Sequence, residues 1–107
     1  MSNDNVYFLR ISGTITREKH REFQQTVQFI FNHLPEECLS HSLSLDVHKP
    51  DLYHFYSLWN SENSLRSFKE NRSFELLKGA FQTLGSHHET ISGNSASVQL
   101  FEINQLS

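Results

Sequence analysis

Cysteine is almost absent from this sequence of 107 residues, in which Cys38 is the only thiol. A single cysteine excludes an intramolecular disulfide and is typical of proteins that work in a reducing compartment. Long hydrophobic runs are also missing, since no stretch approaches the about 20 apolar residues of a membrane-spanning helix. The N-terminal residues lack the charged start and apolar run of a signal peptide. We therefore predict a cytoplasmic protein without a membrane partner.

Positive charge is not concentrated anywhere in the chain. Nine lysines and arginines stand against twelve aspartates and glutamates, for a formal net charge of −3. Without a basic patch, the chain lacks the electrostatic feature on which nucleic-acid binding depends. The glycine patterns of dinucleotide, nucleoside-triphosphate and α/β-hydrolase sites do not occur either. These absences predict no nucleic-acid partner and no cofactor.

Aromatic side chains are the abundant feature, with nine Phe, three Tyr and one Trp. They either fill the core or line an apolar cavity or a partner surface. By period-two alternation Tyr53, Phe55 and Trp59 share one face of a strand, and Phe68 lies on a short helix that folds back over it. An indole ring packs well against a planar ligand, but it also serves in protein cores. Trp59 is therefore either a core residue or a ligand contact.

The first half of the chain predicts a strand, a helix and a hairpin. Residues 6–15 are rich in β-branched and aromatic side chains and form the first strand. Thr16 is expected to cap the following helix and Pro35 to end it. The apolar stripe of this helix consists of Phe23, Val27, Ile30, Phe31 and Leu34. Strict alternation predicts a second strand over residues 39–48, with a turn at 49–51 and a returning strand over 53–59.

The second half predicts two helices and a final strand. Asn60 or Ser61 caps the first of these helices, and Asn71 or Ser73 caps the second. Gly85 is expected to take a left-handed conformation where the second helix ends. The polar residues 86–95 are predicted to form a loop or weak hairpin, and residues 96–103 the last strand.

This order, β-α-β-β-α-α-β, predicts one α+β domain over residues 1–107. The topology is a ferredoxin-like split βαβ, in which a four-stranded antiparallel sheet carries its helices on one face. The first strand is apolar on both faces, since Phe8 points one way and Leu9 and Ile11 the other. One layer of helices covers only one face of a sheet. We therefore predict a homodimer in which a second copy covers the other face.

The hairpin carries the titratable side chains that suit proton transfer. A turn symmetric about Asp51 would place His48 opposite His54, Asp46 opposite Tyr56, and Ser44 opposite Leu58. A histidine beside a carboxylate and a phenol can transfer protons near neutral pH. The alternative is that these residues form the solvated face of an edge hairpin. A one-residue change in the turn would also move one strand's set to the opposite face.

Seven histidines raise the question of a metal site. His87 and His88 are adjacent and point apart in an extended chain, and His41 and His48 lie on opposite faces of one strand. Only His48 and His54 are predicted to converge, without a third ligand at a recognised spacing. We predict no metal site.

The segment from Tyr53 to Leu84 resembles the antibiotic-biosynthesis-monooxygenase-like domains of the dimeric α+β barrel superfamily. In this family a strand ending in an aromatic-Trp pair is followed by a capped helix and a second helix with a Phe. The matching residues here are Trp59, Glu62, Leu65 and Phe74. The resemblance implies a homodimer that binds a small hydrophobic ligand. Phe68 and Lys78 stand where the haem-degrading relatives have a Trp and an iron-ligating His, which argues against haem degradation.

Some relatives oxidise polyaromatic phenols with molecular oxygen and no cofactor, and this resemblance implies the same kind of reaction here. We predict a cofactor-independent monooxygenase for a small aromatic or quinol-type metabolite. His54 is the predicted base and Tyr56 its orienting hydroxyl, with Trp59, Phe55 and Phe68 as substrate-binding residues. The alternatives are a non-catalytic dimer that binds small hydrophobic ligands or responds to stress, and an isomerase of small metabolites.

Overall fold

The computed structural model describes residues 5–94, which form four strands, three α-helices and one 3-10 turn. In chain order they are β1 (Tyr7–Ile15), a 3-10 turn (Arg17–Lys19), α1 (His20–Phe31), β2 (Cys38–Leu45), β3 (Leu52–Trp59), α2 (Glu62–Lys69), α3 (Arg72–Leu84) and β4 (Gly85–Asn94). No helix in the described part of the chain is long and apolar enough to cross a membrane.

The strands form one antiparallel sheet in the order β2-β3-β1-β4. The first and last strands of each βαβ unit are separated by one antiparallel strand, which is the ferredoxin-like topology. The predicted α+β fold is therefore confirmed.

The core lies between the sheet and its single layer of helices. The stripe of α1 is confirmed, with Phe23, Val27 and Ile30 buried. These residues pack with Leu9 and Ile11 of β1 and with side chains of β3, α2 and α3. The opposite side of the sheet, here called the helix-free face, receives no helix from residues 5–94. Alternation along the strands thus separates a sealed core from a second, half-exposed surface.

The helix starts follow the sequence at α2 and α3 but not at α1. Ser61 caps α2, since its Oγ accepts a hydrogen bond from the Ser64 amide at 3.1 Å. Asn71 caps α3, and its Oδ1 accepts from the amide of Ser73 at 2.7 Å. The prediction for Thr16 was wrong because a 3-10 turn precedes α1 and the Thr16 side chain makes no capping bond.

The segment after α3 was predicted wrongly. Strand β4 begins at Gly85 with no intervening loop, and residues 86–94 pair with β1. Gly85 is extended (φ −178°) rather than left-handed. A Cβ at this position would overlap the Thr14 carbonyl oxygen, so the glycine allows the close approach of β4 to β1. Pairing with β1 overrides the low β-propensity of this polar segment. The strand predicted over residues 96–103 lies outside the described residues.

The predicted register of the hairpin was also wrong. Ser44 lies opposite His54, and Ser42 lies opposite Tyr56. The strand β2 ends at Leu45 instead of residue 48, because Asp46 Oδ2 accepts from the amides of His48 and Lys49 in the following turn, while Oδ1 contacts His54 of β3. The partner of His54 therefore shifts from position 48 to 44. Because the shift is an even number of residues, the β2 residue opposite His54 still lies on the predicted face, together with His54 and Tyr56.

Candidate functional site

Strand β3 places His54 and Tyr56 on the helix-free face, where Asp46 joins His54 from the hairpin turn. The His54 Nε2 and Asp46 Oδ1 atoms are 3.0 Å apart. The other carboxylate oxygen of Asp46 accepts hydrogen bonds from the amides of His48 and Lys49 at 2.9 and 2.8 Å. The bond from His54, with help from these two amides, lowers the pKa of Asp46 from 3.8 to about 2. The carboxylate is thus ionised at neutral pH.

This pair fixes the tautomer of His54. An ionised carboxylate only accepts hydrogen bonds, so Nε2 carries the proton and donates to Asp46. The other ring nitrogen, Nδ1, is buried and has no hydrogen-bond partner among the described residues. On the same face the rings of Phe8 and Tyr56 stack with centroids 6.2 Å apart and an angle of 17°. The predicted carboxylate–histidine contact exists, but Asp46 reaches it from the turn and His48 does not take part.

The three predicted substrate-binding residues lie on the opposite side of the sheet. Trp59, Phe55 and Phe68 are at most 1% exposed and belong to the core. The Trp59 indole donates a hydrogen bond to Ser57 Oγ at 2.9 Å, and its ring centroid lies 4.9 Å from that of Phe68. Phe68 borders a cleft of about 200 Å³ beside Pro35 and Asn71. Alternation thus separates His54 and Tyr56 from the aromatic trio, and the roles of all five residues stay predictions.

A larger cleft of about 340 Å³ lies between α2 and the strands β1 and β4. We call it the α2 cleft. Its walls are formed by Tyr7, Glu62, Leu65, Arg66, Lys69, Ser92 and Gly93. The volume falls in the usual range of small-molecule sites, about 300–1,000 Å³. None of the predicted substrate-binding residues lines this cleft.

The polar side chains of the α2 cleft form two groups. Arg66 Nη2 is 3.2 Å from Glu62 Oε2, one helical turn away. Lys69 Nζ donates to Ser92 Oγ at 3.1 Å and so connects α2 to β4. The buried side chain of Leu65 supplies an apolar part of the lining. The cleft therefore combines a carboxylate, two cations, a phenol and an apolar wall.

Sequence reasoning missed this cleft because its residues come from three distant segments. One signal was present in α2, where Glu62, Arg66 and Lys69 recur at spacings of four and three. Residues at this spacing share one face of a helix. Nothing in the sequence indicates that Tyr7 and Ser92 face them, because the pairing of β4 with β1 was not predicted.

A second carboxylate–histidine contact ties the hairpin turn to α1. Asp51, in the left-handed region (φ 67°), accepts from Arg17 Nε at 3.2 Å, and its Oδ1 lies 3.1 Å from His20 Nε2. The hydrogen bond of His20 Nε2 goes to the Ile15 carbonyl oxygen at 3.2 Å. The other ring nitrogen of His20 is 3.2 Å from the Tyr53 hydroxyl, which Gln24 also contacts at 2.6 Å. With its ring so engaged between a turn, a helix and a strand, His20 acts as a structural link.

Neither the histidines nor Cys38 form a further reactive group. Within residues 5–94 no group of three His, Cys, Asp or Glu side chains is arranged to hold a metal ion. Burial raises the pKa of the Cys38 thiol, and the backbone hydrogen bonds of Leu58 and Ser40 offset this in part. The thiol is thus protonated at neutral pH and a weak nucleophile.

The architecture matches solved structures over most of the chain. A conserved protein from Methanosarcina mazei Go1 has a TM-score of 0.71 at 15% identity, covering 85% of this chain and 91% of its own. A protein from Chloroflexus aurantiacus J-10-fl, provisionally named an antibiotic biosynthesis monooxygenase, has a TM-score of 0.65 at 18% identity, covering 83% and 91%. A conserved protein of unknown function from Bacteroides thetaiotaomicron, described as a possible oxidoreductase, has a TM-score of 0.72 at 11% identity, covering 86% and 99%.

Identities this low establish the fold and leave the reaction open. No protein-family model and no curated sequence matches the chain. Several further structures of the same fold also carry the provisional monooxygenase name. The fold is thus that of the antibiotic-biosynthesis-monooxygenase-like, ferredoxin-like domains, as the resemblance of residues 53–84 predicted.

Proposed function

We propose that this protein is a cofactor-independent monooxygenase that acts on a small aromatic phenol or quinol bound in the α2 cleft. The observation that carries the proposal is the composition of this cleft, in which Glu62, Tyr7 and two cations surround the apolar side chain of Leu65. The provisional names of the structural neighbours support the same class of reaction.

The reaction needs a substrate whose anion can transfer an electron to oxygen. Removal of a proton gives a phenolate or the related carbanion, and one-electron transfer to O₂ gives a substrate radical and superoxide. Recombination forms a peroxide at carbon, and loss of water leaves a carbonyl. For a CH₂ group that becomes C=O, one O₂ is consumed and one H₂O is released, so no external reductant is required. The protein has to position the substrate, accept its proton and stabilise negative charge.

Residues of the cleft suit these three tasks. Glu62 is the carboxylate that accepts the substrate proton. Arg66 is the cation placed to stabilise a phenolate and the superoxide that follows it, and Lys69 adds a second positive charge to the cleft. The aromatic body of the substrate packs against Leu65, the apolar residue of the cleft lining on α2.

Oxygen uptake with dihydroanthracenone- and quinol-type substrates tests the proposal. Glu62→Gln removes the proton acceptor and keeps the shape of the side chain, so we expect kcat to fall by about 10²-fold or more. Glu75→Gln, an exposed carboxylate on α3, is the matched control and should leave kcat unchanged. No uptake with any of these substrates would refute the oxygenase.

The same assay tests the base predicted from the sequence. His54 and Tyr56 would act on a substrate bound to the helix-free face, beside the ring stack of Phe8 and Tyr56. A larger loss of kcat with His54→Ala than with Glu62→Gln would move the chemistry to that face.

A non-catalytic binding protein is the second candidate. It is favoured by the fact that the α2 cleft contains no histidine, while its walls already suit an aromatic ligand. Saturable binding of the same phenols without oxygen uptake would identify this function. In either case we propose a homodimer in which the helix-free faces of two copies meet.

A further inference from the structure

We infer that the ligand of the α2 cleft carries a carboxylate, so that the substrate is an aromatic acid and Lys69 holds its acid group. This inference rests on the proposed function for the site, and it adds the class of substrate.

The charges of the cleft are not balanced. Arg66 is already bound to Glu62 Oε2 and to Asn63 Oδ1, each at 3.2 Å. Lys69 has only the Ser92 hydroxyl as a partner and no carboxylate within ion-pair distance among the described residues. Two cations and one carboxylate leave a net charge of +1 in a chain whose net charge is −3. This local excess favours an anionic ligand.

Hydroxyl groups complete a site for such an anion. Ser92 Oγ accepts the bond from Lys69, so its own proton is available to another acceptor. Tyr7 also lines the cleft, and its phenol is a further hydroxyl donor. A carboxylate would therefore meet one ammonium and two hydroxyl donors. Hydrogen bonds to a charged acceptor of this kind are stronger than neutral ones.

The position of Lys69 favours a monoanion over a phosphate. Lys69 is the last residue of α2, where the carbonyl groups of the helix carry partial negative charge. A cation is favourable at this end, but a dianion such as phosphate would be repelled by the same carbonyls. Leu65 lines the same cleft and favours an apolar body next to the anion. A small aromatic carboxylate satisfies both conditions.

Calorimetric titration with 2-naphthoate and its neutral isostere 2-naphthamide tests the inference directly, without any turnover. We expect the acid to bind about tenfold more tightly than the amide, as a charge-assisted hydrogen bond implies. Lys69→Gln should abolish this preference and leave the affinity for the amide unchanged, and Lys69→Arg should retain most of it. Lys78→Gln removes a lysine of α3 that lies outside the cleft, over the Phe74 ring, and is the matched control.

The outcomes separate the inference from the proposed function. Equal affinities for acid and amide, in wild type and in Lys69→Gln, would overturn the carboxylate assignment even if neutral phenols consumed oxygen. Inorganic phosphate that displaces 2-naphthoate at equal concentration would overturn it in favour of a phosphate site. A Lys69-dependent preference for the acid without oxygen uptake would support the inference and refute the oxygenase.

Discussion

Two aspartates of the turn between β2 and β3 each contact a histidine. Asp46 binds His54 of the same hairpin, and Asp51 binds His20 at the start of α1. The side chains of both aspartates are only 24% exposed. Partly buried pairs with fixed geometry contribute more than exposed surface pairs.

The lowered pKa of Asp46 predicts a dependence of stability on pH. Its folded-state pKa of about 2 lies below the ordinary 3.8, so the ionised form is favoured by folding. The resulting stabilisation is complete above pH 3.8 and is lost as the pH falls towards about 2. Asp46→Asn should lower the urea midpoint at neutral pH, and the midpoints of variant and wild type should converge near pH 2.

Urea titrations monitored by circular dichroism at several pH values measure this difference. Glu36→Gln removes an exposed carboxylate from the loop before β2 and is the control. A gap between Asp46→Asn and wild type that is the same at pH 2 and pH 7 would show that charge is not the cause.

At the scale of the elements, two capping residues determine where α2 and α3 begin. Ser61 and Asn71 satisfy amides at the starts of these helices, and the sequence left a second candidate open in each case. In both cases the capping residue is the one directly before the first helical residue. Backbone geometry at the cap is extended, as this position requires.

A matched pair of variants tests the cap of α3. Asn71→Ala should lower the free energy of unfolding by about 1 kcal/mol, because two amides lose their acceptor. Ser73→Ala, at the other candidate position, should change it by less than about 0.5 kcal/mol. Equal losses in urea denaturation would assign capping to both residues.

The sequence predicts an element well when the pattern is periodic and local. The stripe of α1 follows from Phe23, Val27 and Ile30, and the alternation of β3 follows from its aromatic residues. The strand β4 was missed because its residues are polar, and its extended conformation depends on pairing with β1. The hairpin register was missed because it depends on where Asp46 ends β2. The α2 cleft was missed because Tyr7 and Ser92 meet Lys69 only through tertiary pairing.

At the scale of the molecule, the helix-free face is the surface that a second copy would cover. Phe8, Leu58 and Ile91 lie on it and are only half-buried in one chain. Burying such side chains is worth about 1.5–3 kcal/mol each. In the proposed dimer, helices would cover one side of the sheet and the partner the other, so neither apolar face would contact water.

We expect a homodimer of 25 kDa, twice the chain mass of 12.5 kDa, by light scattering after size exclusion. Phe8→Glu should give monomers, because a charge would have to be buried between the two sheets. Phe29→Glu changes a side chain of α1 that is 51% exposed on the helix side, and the dimer should persist. A wild-type monomer at micromolar concentration would refute the proposed dimer.

Trp59 makes the assembly of the cleft visible to an optical measurement without any label. It is the only tryptophan of the chain, so all indole emission comes from one position. Its ring touches Phe68, on the same helix that carries Leu65 and Lys69. Separation of α2 from the sheet would expose this indole to water and shift its emission to longer wavelength. The chain thus contains a built-in reporter for the docking of the helix on which the α2 cleft depends.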